Sequence, residues 1–189
     1  MKTNKPRSAV LLIEFQKQWT EKGIYNKLIK KQLNNRNVLK NTKNLVKKAR
    51  KQGAKIIHAP LIINPMNKKG WFAFLTLGKV FTKGMEKSRI AEDLVERGDL
   101  IVRGRYAFDA FVGSNLEKIL KENKIKNVFV CGFTTDQCVA KTMNTLLKKN
   151  FDAYLVSDCT ATLNSFLQRI SERKFGERVI NSQKVIQRI

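Results

Sequence analysis

The chain reads as an α/β protein. The expected fold is a single domain over residues 1–189, with a mostly parallel sheet and helices on both faces in a three-layer, Rossmann-type arrangement. Three observations point there. Short apolar runs without polar alternation recur along the chain, as strands buried on both faces require. A helical stretch follows most of them, and alternation at that spacing implies parallel crossovers. No linker, low-complexity tract or internal repeat divides the 189 residues, an ordinary length for one core.

The elements follow in order. Ser8-Ala-Val-Leu-Leu-Ile13 is the first buried strand. Residues 27–52 predict one long helix, with Leu28, Leu39, Leu45, Val46 and Ala49 on its apolar side and Gly53 as its cap. Lys55-Ile-Ile-His-Ala59 is the second strand, closed by Pro60. Residues 61–89 are less regular. Pro65, Gly70, Gly78 and Gly84 punctuate them, and Trp71, Phe72, Phe74 and Phe81 make them aromatic. A stretch of this kind covers a pocket, packs on a second subunit, or forms a satellite cluster under a surface loop. Strands are then expected at 99–102, 127–131, 152–156 and 178–180. Helices are expected at 114–122, 137–149 and 163–174, with a last helical turn from Ser182. In such a sheet the ligand crevice lies outside the carboxyl ends of the strands. Glu14, Arg105 and Cys138 each fall just after a predicted strand.

Composition narrows the class. Lys and Arg number 38 against 15 Asp and Glu, a net charge of +23. Residues 27–52 contain no acid at all and form the strongest basic surface. Such a surface attracts nucleic acid or an acidic membrane. No basic region is interleaved with an aromatic stacking row, so solvated basic faces are favoured over a nucleic-acid-associated protein. No apolar stretch approaches the ~20 residues that span a bilayer. The N-terminus has charge but no apolar core of a signal peptide. Three cysteines without a Cys-x-x-Cys pair read as free thiols in a reducing compartment. Together these describe a cytoplasmic protein with no membrane insertion.

The chemistry centres on Cys131-Gly-Phe-Thr-Thr-Asp-Gln-Cys138-Val. Cys138 is placed where a helix begins, beside unpaired backbone N–H groups and the positive end of the helix dipole. That position is expected to lower a thiol pKa and to hold an oxyanion during acyl transfer. A cysteine nucleophile also needs a base. The lone histidine, His58, sits inside an apolar strand and reads as a core or strand-end residue. Glu14, an acid directly after a buried strand, is the remaining candidate; left alone it would be costly there.

Four segments then carry a resemblance. They are Ala9-Val-Leu-Leu-Ile-Glu-Phe-Gln16, Arg105-Tyr-Ala-Phe-Asp-Ala-Phe-Val-Gly-Ser-Asn-Leu116, Gly132-Phe-Thr-Thr-Asp-Gln-Cys-Val139 with Thr142, and Val156-Ser-Asp-Cys-Thr-Ala161. In this order they resemble the isochorismatase-like cysteine hydrolases, a superfamily that includes nicotinamidases and other amidohydrolases. The resemblance implies a parallel sheet flanked by helices and an Asp, Lys, Cys triad. Cys138 matches the nucleophile. Glu14 stands at the Asp, with Gln16 in place, and Arg105 stands at the Lys. Arginine keeps the charge but does not readily give up a proton. Arg103, two residues earlier, is the weaker candidate.

The resemblance further implies an oxyanion hole from the backbone N–H groups of Thr134 and Cys138, and a cis peptide at Phe133–Thr134. It implies a small-molecule substrate, no cofactor, and a homo-oligomer. Nicotinamidases add a metal held partly by histidines; a chain with one histidine does not match that pattern, so no metal is expected. Gln16, Trp71, Phe74 and Phe108 are the candidate substrate contacts. The expected activity is hydrolysis of a small amide, or a related C–N or C–O bond, through a Cys138 thioester. The alternative is a catalytically impaired member serving as a binding or assembly module.

Overall fold

A computed structural model describes residues 7–21, 23–63 and 81–189. They form one six-stranded, all-parallel sheet. The strands are β1 (Arg7–Ile13), β2 (Lys55–Ala59), β3 (Leu100–Ile101), β4 (Ile125–Phe133), β5 (Asp152–Ala161) and β6 (Val179–Ile180). Their order across the sheet is β3-β2-β1-β4-β5-β6. The chain thus winds outward from β1 in one direction, returns, and winds outward again from β4. Such a reversal opens a crevice between the carboxyl ends of β1 and β4.

Seven helices flank the sheet among the described residues. They are α1 (Lys17–Thr20), α2 (Ile24–Asn35), α3 (Val38–Lys51), α4 (Leu116–Glu122), α5 (Ala140–Lys148), α6 (Ser165–Phe175) and α7 (Ser182–Arg188). Side chains of β1 alternate between two cores, as the two-residue period of a strand dictates. Val10 and Leu12 pack with Ile29 and Leu33 of α2, Leu45 and Val46 of α3, and Val185 of α7. Ala9, Leu11 and Ile13 pack with Leu116 and Leu120 of α4 and Met143 and Leu146 of α5. No helix among the described residues is long and apolar enough to cross a membrane.

Three differences from the sequence reading have local causes. The single helix expected over residues 27–52 is two helices, broken where Asn37 adopts a left-handed φ of 50°. Asparagine tolerates that conformation better than most residues. The corner is pinned to β5: Arg36 Nη2 donates to Ser157 O at 2.7 Å, and Asn41 Nδ2 donates to Asp158 O at 3.1 Å. Strand β5 extends five residues beyond its predicted end, because its register shifts and Thr160 and Ala161 pair again with Gly132 and Phe133. The helix predicted from Gln137 begins only at Ala140, preceded by a π-helical turn over Thr135–Val139. Trp71, Phe72 and Phe74 lie outside the described residues.

Gly132 is required where β4 crosses the end of β1. Its φ is 133°, and a Cβ there would lie 2.1 Å from the Ile13 carbonyl oxygen. Any side chain would force the two central strands apart exactly at the end that faces the crevice.

Candidate active site

Glu14 is the first residue beyond β1. It turns with φ 57°, an uncommon conformation for a residue with a Cβ, and its N–H donates to Ala59 O at 3.3 Å. The side chain is 1% exposed, so its charge needs partners. It has two. Arg105 Nη2 donates to Oε1 at 2.7 Å, and the indole Nε1 of Trp19 donates to Oε2 at 3.1 Å.

Arg105 arrives from the far side of the sheet, after β3. Gly104 makes that path possible: its φ is 84°, and a Cβ would lie 2.5 Å from Gly113 O. The guanidinium is buried and held on four sides. Besides Glu14, it donates to the carbonyls of Ala59 at 2.7 Å, Ala107 at 3.0 Å and Phe108 at 2.8 Å. The loop that carries it is tied to α5. Ala110 N donates to Thr142 Oγ1 at 2.9 Å, and Thr145 Oγ1 donates to Asp109 Oδ2 at 2.6 Å. Arg103, by contrast, is exposed and makes its backbone bond to Asn115 Oδ1.

Cys138 stands in the π-helical turn after β4, where the charges of both Glu14 and Arg105 act on its thiol. The turn is anchored from below. Thr135 Oγ1 donates to Gln168 Oε1 at 2.9 Å, Thr160 Oγ1 donates to Gly132 O at 2.8 Å, and Thr162 Oγ1 donates to Asp136 Oδ1 at 2.5 Å. The Phe133–Thr134 peptide is cis. Glu14, Arg105 and Cys138, drawn from the ends of three strands, therefore meet in the crevice that the strand order opens.

The thiol does not behave as a helix-start cysteine is expected to. Burial pushes its pKa well above the ordinary value, and the Glu14 charge raises it further; Arg105 opposes both. The reason is geometric. Cys138 is 5% exposed and lies before the first turn of α5, so a thiolate there would be largely desolvated. At neutral pH the group is therefore a neutral thiol.

The other expected residues among those described are placed as follows. Gln16 is fully buried, and its amide is spent on backbone: Nε2 donates to Leu61 O at 3.2 Å and Ser88 O at 2.7 Å, while Oε1 accepts from Leu61 N at 2.9 Å. It ties Leu61 and Ser88 together, with both ends of the amide bonded to backbone. Phe108 is half-buried, with Lys141 Nζ 4.6 Å from its ring centre, and its carbonyl holds Arg105. His58 is buried, its Nε2 3.0 Å from Asp99 Oδ2, as a structural residue. Cys131 and Cys159 are fully buried neighbours on the opposite face from Val130. Asp158 accepts from Ser182 N and Oγ at 2.8 and 2.6 Å, which caps the approach to α7.

Trp19 is a site residue that sequence reasoning passed over. Its only signal is a tryptophan five residues after the candidate base. Phe133, Phe81 and Tyr25 surround it, with ring centres 6.0, 6.4 and 5.0 Å away. A surface cleft of about 190 Å³, lined by Leu39, Lys43, Glu92 and Leu94 among others, includes none of the three central side chains. Among the described residues no three His, Cys, Asp or Glu side chains are grouped to hold a metal ion.

Comparison with known proteins agrees with the fold. The chain is similar over its full length to a cysteine hydrolase from Pseudomonas syringae pv. phaseolicola 1448A, with a TM-score of 0.85, 18% identity and 94% of that chain covered. It is similar to N-carbamoylsarcosine amidase from Thermoplasma acidophilum, with a TM-score of 0.75, 19% identity, and 93% and 96% of the two chains covered. A stretch of 52 residues is 46% identical to the uncharacterized isochorismatase family protein YrdC of Bacillus subtilis (strain 168), spanning 28% of either chain. The isochorismatase domain model matches residues 8–181. With that match over nearly the whole chain, the protein belongs to the isochorismatase family.

Proposed function

We propose that the protein is a cysteine hydrolase that cleaves a small amide, or a related C–N or C–O bond, through a Cys138 thioester. The observation that carries this reading is a buried thiol that feels the charge of a buried carboxylate, itself paired with a buried guanidinium at 2.7 Å. In the first half-reaction Glu14 takes the Cys138 proton as sulfur attacks the carbonyl carbon. The oxyanion is assigned to the N–H groups of Thr134 and Cys138. The C–N bond breaks, Glu14 returns the proton to the leaving amine, and a thioester remains on Cys138. Glu14 then takes a proton from water as its oxygen attacks the thioester. The C–S bond breaks, the acid departs, and the proton returns to sulfur.

Arg105 acts as a fixed charge and never as a proton carrier. A guanidinium does not give up a proton in proteins, and four of its five N–H groups are engaged by three carbonyls and Glu14. Proton traffic therefore falls to Glu14 alone. The same observation supports a second reading, a member that binds a small molecule without turning it over. A panel of small amides and esters, followed by intact-mass spectrometry, separates the two. The hydrolase reading expects turnover, an acyl adduct on Cys138, and loss of both in Cys138→Ala. Binding without turnover or adduct establishes the second reading, and turnover that survives Cys138→Ala overturns the first.

A further inference from the structure

We infer that Trp19 is a positioning residue for the general base, acting through its indole N–H on Glu14; this rests on the assignment of Glu14 as the base for Cys138. Three rotatable bonds separate a glutamate carboxylate from its backbone. One hydrogen bond fixes one oxygen and leaves the group free to swing about it. Here each oxygen has its own donor: Arg105 on Oε1 at 2.7 Å and Trp19 on Oε2 at 3.1 Å. The two together fix the plane of the carboxylate and hence which lone pair faces sulfur.

The donor is itself held rigidly. Trp19 is 6% exposed and packed against Phe133, Tyr25 and Phe81. Its backbone is fixed at both sides of the ring contact, since Trp19 N donates to Gln16 O at 2.9 Å and Asn26 Nδ2 donates to Trp19 O at 2.8 Å. Phe133 immediately precedes the turn that bears Cys138, so the indole packs against the segment that carries the nucleophile while bonding to the base. A phenylalanine would keep an aromatic ring there but is smaller and has no N–H, and the indole N–H is spent on Glu14.

The test uses the full chain and iodoacetamide as the probe of Cys138, with rates measured across pH by intact mass. Residue 19 is replaced in two ways: Trp19→Phe, and an isosteric benzothienyl analogue with sulfur where the indole has N–H. Circular dichroism and melting temperature report folding. The analogue keeps the shape of the ring, so a purely structural role leaves it reacting as the wild type. The expected result is a neutral-pH alkylation rate lower by about tenfold in both proteins, the effect of losing one hydrogen bond to a charged group. A neutral-pH rate within about twofold of wild type in the analogue, with or without a displaced acidic limb, overturns the positioning role. Glu14→Gln is measured beside them. If it slows alkylation while the analogue does not, only this inference fails; if it reacts as the wild type, the assignment of Glu14 as base fails.

Discussion

The Glu14 carboxylate and the Arg105 guanidinium meet at 2.7 Å with both side chains essentially removed from water. Removing one partner of such a pair leaves a buried charge without compensation, which costs more than the intact pair contributes. Arg105→Met is therefore expected to lower the unfolding free energy by about 3–5 kcal/mol. Adding Glu14→Met should recover part of that loss, because no orphan charge then remains. Urea unfolding of the two single variants and the double variant measures the coupling; additive losses would show that the pair is not energetically linked. Arg105→Lys should also be less stable than the wild type despite its charge, since one ammonium cannot serve three carbonyls and a carboxylate together.

Gly132 permits the close crossing of the two central strands. Gly132→Ala is expected to destabilise the fold by more than about 2 kcal/mol, combining a left-side φ with a Cβ driven into Ile13. Equilibrium denaturation checks this. A variant as stable as the wild type would mean that β1 and β4 separate at little cost.

The buried thiols give stability a dependence on alkaline pH. Burial raises the pKa of Cys138, and burial with the neighbouring Cys159 raises that of Cys131. A thiol whose folded pKa exceeds its unfolded value, ~8.5, contributes stability that is complete below that pH. The contribution is lost as pH rises toward the folded value, because the unfolded chain releases protons first. Urea midpoints should therefore fall from about pH 8.5 upward, and the Cys131→Ala, Cys138→Ala protein should fall less steeply. Parallel curves for the two proteins would assign the alkaline loss to other groups.

Much of the site was legible before the fold. A carboxylate directly after an apolar run, a cysteine after another, and a cation after a third are positions along the chain, and parallel α/β architecture sends all three to one sheet edge. Trp19 was not legible as a partner of Glu14. The pattern of an amphipathic turn accounts for a buried tryptophan without saying where its N–H points. Gln16 was misjudged for a similar reason: a polar residue beside a catalytic candidate looks available until its backbone partners, Leu61 and Ser88, are brought in from 45 and 72 residues away.

Sequence alone determined the class of fold and set Glu14, Arg105 and Cys138 just after expected strands, because burial pattern and turn chemistry are local properties. Tertiary structure decided their state. The helix expected over residues 27–52 breaks at Asn37 because distant carbonyls of β5 hold its corner. The thiol of Cys138, placed at a helix start by the sequence, is neutral because the packed crevice removes it from water. Arg105 is a fixed charge because carbonyls from two strand-end segments occupy its donors. Protonation and mobility depend on desolvation and on partners remote in sequence, and neither exists until the chain has folded.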